Sequence, residues 1–154
     1  MKALKPLLAA AILTAGLAAP GVAQEPRDTA QEEANRKLVV DFYDKVFNQH
    51  MVEEGAAVLT EEYKQHNPHV PDGKEPFVSY FTQYFKDNPE ARARVVRSAA
   101  DGDLVWLHNN SVQNAQDRGE AIVDIFRVKD GKIVEHWDVV QPVPETSANE
   151  NTMF

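Results

Sequence analysis

The chain has 154 residues, enough for one compact domain with a real core and too few for two ordinary ones. Apolar residues make up 43% of it and recur in regular patterns, which argues against a disordered chain. With 24 acidic residues against 16 basic ones, a nucleic-acid-binding surface is not expected, and the absence of cysteine excludes disulfides, thiol nucleophiles and cysteine-bound zinc.

At the start, Lys2 and Lys5 precede an apolar run from Leu7 to Ala19, and Gly21-Val22-Ala23 supplies small residues after it. This order of charged head, apolar middle and small-residue end predicts a signal peptide over 1–23. The run is too short to span a bilayer comfortably, so no membrane association is expected after cleavage. The mature chain would have 131 residues with a net charge of −10 and a periplasmic or secreted location. Residues 24–143 then read as one domain and 144–154 as an irregular tail.

Thr29 can cap a helix with Glu32 as its capping-box partner. Leu38, Val39, Phe42, Tyr43, Val46 and Phe47 fall at helical spacing, which predicts a long amphipathic helix over 29–49. A short helix is expected at 53–59. Two prolines and a glycine in 62–73 predict a constrained loop. Phe77, Phe81, Tyr84 and Phe85 mark another helix that ends near Asn88-Pro89. The period then changes. Runs at 94–100 and 104–112 flank Asp101-Gly102, and runs at 121–128 and 133–140 flank Asp130-Gly131. Asp-Gly between β-rich runs signals a hairpin, so a four-stranded antiparallel meander is expected. Arg92, Arg94 and Arg97 lie in a strand-like segment at the start of the first run and read as a solvated sheet face. Helices followed by strands predict an α+β fold, with a pocket between the helices and a curved sheet.

Asp124 interrupts the apolar strand Ala121-Ile122-Val123-Asp124-Ile125-Phe126, and its own face carries Ile122, Phe126 and Val128. A two-residue turn at Asp130-Gly131 would pair Val128 with Ile133 and set Asp124 opposite Trp137. A carboxyl beside an indole in a poorly solvated cleft should have a raised pKa, and a neutral acid there can donate a hydrogen bond or a proton. Its plainer alternative is an exposed strand residue, or one paired with a nearby arginine such as Arg127, although Arg127 points to the opposite face. His66 titrates near neutrality and lies beside the proline-constrained loop, a placement that suits proton transfer as well as a simple turn brace. Tyr43, on the apolar stripe of the first helix, can join Asp124 as a donor or pack as core. Phe126 and Trp137 are the expected apolar contacts of a substrate. His66, His69 and Asp72 could form a facial metal site, but Pro68 and Pro71 oppose the required alignment, so neither metal nor cofactor is expected. His136 and Asp138 alternate with Trp137 and read as structural.

Two segments carry a family resemblance: Tyr63-Lys-Gln-His-Asn-Pro with the following Pro-Asp-Gly-Lys, and Val123-Asp-Ile-Phe-Arg-Val-Lys-Asp-Gly-Lys-Ile-Val-Glu-His-Trp-Asp. Over roughly residues 30–143 the chain resembles the SnoaL-like branch of the nuclear transport factor 2-like superfamily. The resemblance implies a cone-shaped α+β barrel, an apolar pocket, a homodimer through the sheet, and members that include polyketide cyclases, ketosteroid isomerases, dehydratases and noncatalytic binding domains. By the same resemblance, Asp124 matches the pocket acid of cyclases and isomerases, and Tyr43 the isomerases' hydrogen-bonding tyrosine. Their general base, an Asp just before a proline, has no counterpart here: the stretch reads Gln65-His66-Asn67-Pro68. His66 is the candidate substitute, with Asn67 the alternative at that position. The expectation is an exported protein performing metal-free aldol-type cyclisation or isomerisation on a small apolar carbonyl compound. The rival expectation is a noncatalytic small-molecule-binding domain of the same fold.

Overall fold

The computed structural model describes residues 27–154, so the signal-peptide expectation at 1–23 lies outside the described residues. Three α-helices, α1 (Thr29–Phe47), α2 (Val52–Gly55) and α3 (Lys74–Asp87), pack against five strands. The strands are β1 (Leu59–Gln65), β2 (Arg92–Asp101), β3 (Leu104–Val112), β4 (Glu120–Lys129) and β5 (Lys132–Pro142). They form one mixed sheet in the order β1-β5-β4-β3-β2. No helix among the described residues is long and apolar enough to cross a membrane.

α1 forms where the apolar periodicity places it, but its cap is Asp28, whose side chain accepts a hydrogen bond from the Gln31 amide at 3.0 Å. Glu32, expected as a capping partner of Thr29, serves tertiary structure. It accepts from Arg27 and from the Gly102 amide at 3.0 Å, tying the first turn of α1 to the β2–β3 turn. Val39, Phe42 and Val46 carry the buried stripe of α1 onto Val105, Leu107, Phe126 and Ile133 of the sheet, and Phe77 of α3 and Tyr63 of β1 close the core.

Both hairpins form. Gly131 (φ +71°) follows Asp130 (φ +51°), the left-handed pair of a type I′ turn, whose twist suits antiparallel strands. In the first hairpin Asp101 pairs with Leu104, so the turn centres on Gly102-Asp103, one residue later than expected.

Two features differ from the sequence expectation. Residues 59–65, whose C-terminal part reads as a loop in the sequence, form an edge strand that runs parallel to β5, so the sheet has five strands rather than four and is mixed. The segment is mostly polar and buries only Leu59 and Tyr63, so it carries no clean alternation. It is held by its neighbour and by the loop that follows, where Gln65 donates its amide to Asp72 Oδ1 at 2.7 Å and the Gly73 amide returns to the Tyr63 carbonyl. The second feature is a bulge in β5. Val128 pairs with Ile133 as expected, but Arg127 pairs with Glu135, leaving Val134 as an extra residue. A single extra residue exchanges the faces of everything beyond it. Asp124 therefore lies opposite Asp138, and Trp137 pairs with Ile125 on the outer face.

Candidate functional site

A cavity of about 680 Å³ opens between the helices and the concave face of the sheet. Its walls are aromatic, with Phe42 and Phe47 from α1, Phe77, Phe81 and Tyr84 from α3, and Phe126 from β4. Phe126 meets Phe42 edge-on at 5.8 Å between ring centres, an arrangement favoured by the ring quadrupoles. At one end, β1 with the segment after it, β4 and β5 bring polar side chains together: Gln65, Asn67, Asp124, His136 and Asp138 all line the cavity.

Asp124 is 6% exposed and meets partners from α1, β3 and β5. The Tyr43 hydroxyl donates to its Oδ2 at 3.1 Å, and the Asn109 side-chain amide donates to the same oxygen at 2.6 Å. His136 Nε2 faces Oδ1 at 2.9 Å. The other ring nitrogen of His136, Nδ1, meets the side-chain oxygen of Gln65 at 2.8 Å. An amide oxygen only accepts, so Nδ1 carries hydrogen and the His136–Asp124 contact holds one proton between Nε2 and Oδ1. Asp124 thus meets Tyr43 and Asn109 as an acceptor rather than as the hydrogen-bond donor anticipated from burial alone. Burial is the largest cause pushing the Tyr43 phenol well above its usual range, and the neighbouring Asp124 and Asp138 carboxylates push it the same way. The hydroxyl therefore stays a donor at neutral pH. Tyr63, buried beside the same carboxylates, is raised for the same reasons.

Asp138 accepts both hydrogen bonds of its site from one Asn67 amide nitrogen, at 3.0 and 2.8 Å. Asp124, His136 and Asp138 each present a possible ligand atom within 4.8 Å of the others, the arrangement that could hold a metal ion among the described residues. The set considered from sequence, His66 with His69 and Asp72, does not come together in this way. His69 lines the cavity with an exposed side chain, and Asp72 is engaged with the Gln65 amide.

Of the five site residues expected from the sequence, Asp124, Tyr43 and Phe126 line the cavity, whereas His66 and Trp137 do not. His66 stacks flat on Trp137, 4.4 Å between centroids and 4° between planes, and its Nε2 donates to Glu135 Oε1 at 2.8 Å. Arg127 lies over the other part of this assembly, 5.5 Å from the Trp137 ring, and donates to Glu135 and Asp103. Hydrogen bonds hold the Glu135 carboxyl below its usual range, that from His66 being the largest cause and that from Arg127 the next. His66 is therefore a brace of the outer sheet face, and the expectation that it acts as a base in the pocket is corrected. Trp137 is removed from the substrate contacts by the same bulge that turns His136 and Asp138 inward. The His66 amide pairs with the His136 carbonyl at 2.9 Å, and Tyr63, Gln65 and Asn67, two residues apart, face the cavity on either side of the outward His66.

Three helices against a five-stranded mixed sheet, with polar groups gathered in a largely aromatic cavity, define the nuclear transport factor 2-like class of α+β folds. The profile of the SnoaL-like domain family matches residues 39–136, and the chain belongs to that family. Solved structures agree on the fold. A candidate ketosteroid isomerase from Kribbella flavida is 20% identical with a TM-score of 0.64, over 80% of this chain and 90% of its own. A SnoaL-like protein of unknown function from Burkholderia thailandensis is 14% identical with a TM-score of 0.62, over 71% and 96%. A candidate polyketide cyclase from Bacillus cereus is 21% identical with a TM-score of 0.56, over 70% and 74%. Comparison with curated protein sequences finds no match.

Proposed function

We propose that the protein performs acid/base chemistry on a small, largely apolar carbonyl compound, with the Asp124–His136 pair as the proton-transferring group. The observation that carries this reading is the 2.9 Å contact between two buried titratable side chains at the polar end of an otherwise aromatic cavity. The pair removes a proton from the carbon beside the carbonyl and returns it to a second position, the common step of isomerisation and aldol-type cyclisation. Tyr43 and Asn109 fix the carboxylate from one side, and Gln65 fixes the imidazole from the other, so both groups are oriented before substrate arrives. Asn67 and Asp138 supply further polar contacts along the same wall.

Exchange of solvent deuterium into the α-carbon of small cyclic and aryl ketones, followed by NMR, tests this for any substrate of that class. Asp124→Asn and His136→Gln should each lower exchange by about 10²–10⁴-fold, the usual cost of one lost acid/base group. His66→Ala should leave the rate within about twofold, because its ring lies outside the cavity. Catalysis that survives both pocket substitutions would overturn the assignment. Retained ligand binding without exchange in the wild type would favour the rival reading, capture of a small molecule, for which the anchored Asp124 side chain is equally suitable.

The segment Lys2 to Ala23 supports export to the periplasm or secretion, with Gln24 as the first mature residue. N-terminal sequencing of protein recovered from the cell envelope should read Gln24 first; intact Met1 in the cytosol would refute it.

A further inference from the structure

The charge of the cavity wall restricts what the cavity takes. Four carboxylates line it, Glu75, Glu120, Asp124 and Asp138, and no lysine or arginine among the described residues does. Asp124 and Asp138 are direct cross-strand partners. Like charges placed opposite one another on a sheet repel, more strongly where aromatic side chains exclude water. Asp124 is compensated by Tyr43, Asn109 and His136. Asp138 receives only the neutral amide of Asn67, and no basic side chain pairs with it among the described residues. Much of the remaining wall is aromatic, with Val70, Pro71, Pro76 and Ile122 between the rings, and aromatic faces attract cations. An anionic occupant would meet these carboxylates with no lysine or arginine beside it, the basic side chains of the wall being His69 and His136.

We propose that the cavity is built for a ligand bearing a protonated amine, with Asp138 as its counter-ion and the aromatic wall packing its body, and that it discriminates against carboxylates. The proposal rests on the reading of the cavity as a small-molecule site and names the charge of the occupant; the substrate of the reaction above is then an amine-bearing carbonyl compound. A bare metal ion suits the site less well. The cavity is many times the volume of an ion, and His136 and Asp124 turn their nearest atoms toward each other.

Three probes of one shape and different charge separate the possibilities: 2-naphthylmethylamine, 2-naphthylmethanol and 2-naphthoate, titrated calorimetrically into the purified protein. The amine should bind at least about tenfold more tightly than the alcohol, with the naphthoate weakest. Asp138→Asn preserves an acceptor for Asn67 and should bring amine and alcohol affinities within about threefold of each other. Equal binding of amine and alcohol, preferred binding of the naphthoate, or an amine preference that survives Asp138→Asn would overturn the proposal and leave the cavity reading intact. Binding of none of the three would overturn both. Zinc(II) alone, binding in an Asp138-dependent manner and displacing the amine, would assign the charge to a metal ion and also overturn the proposal.

Discussion

Tyr43 shows how one side chain is set by its surroundings at the scale of the residue. Its ring packs on Phe47 at 4.3 Å between centroids, while its hydroxyl reaches Asp124, so an apolar stripe and a polar contact share one residue. Burial first, and the carboxylate field second, disfavour the phenolate of both Tyr43 and Tyr63. Their folded pKa values lie above the unfolded value of about 10, so this contribution to stability is complete below that pH and is lost as pH rises toward the folded values. An alkaline titration followed by tyrosinate absorbance should therefore show two of the four tyrosines ionising only as the chain unfolds. Ionisation of all four before any loss of secondary structure would contradict the buried placement.

The elements fix the positions of these residues through two glycine-dependent features and one bulge. Gly131 allows the β4–β5 turn that sets the start of the register. Gly119, at φ +78°, leads into β4 after the 113–118 loop, and a Cβ there would collide with the Ser111 carbonyl oxygen, a backbone atom with little freedom to move. Gly119→Ala combines left-handed strain with that collision and should destabilise by about 2–4 kcal/mol, measured by urea denaturation. Gly102→Ala, at φ +60° but with open space around its added methyl, should cost about 1 kcal/mol. Equal costs would show that strain alone, without the collision, governs both positions. The bulge at Val134 acts differently: it changes which faces of β5 meet the cavity and so decides the composition of the site.

Over the whole molecule, the core and the cavity are two halves of one interface between helices and sheet. Val39, Val46, Val105, Leu107 and Ile133 are fully buried and fill the part where the layers touch. Phe47, Phe81 and Tyr84 line the part where the layers diverge. Leu107→Ala removes packed volume beneath α1 and should lower stability by about 2–5 kcal/mol, read as a fall in Tm. Since Leu107 lies outside the cavity wall, the affinity for a neutral aromatic probe should change little in the folded fraction; a loss parallel to the loss of stability would show that core and cavity are not separable.

The family, the order of helices before strands, both hairpins, and the roles of Asp124, Tyr43 and Phe126 as inward-facing residues were legible in the sequence. Those features rest on local chemistry: apolar periodicity, turn residues with left-handed backbone, and one acid on an apolar strand face. The remainder was decided by tertiary structure. β1 is a polar edge strand, and its pairing with β5 is a long-range contact that no local pattern announces. The extra residue at Val134 inverts the alternation Glu135-His136-Trp137-Asp138, so the histidine that meets Asp124 is His136, and His66 stacks with Trp137 on the opposite face. A strand's side-chain period is two, so one unpaired residue is enough to exchange inside for outside, and its position depends on how two strands twist against each other rather than on either sequence alone.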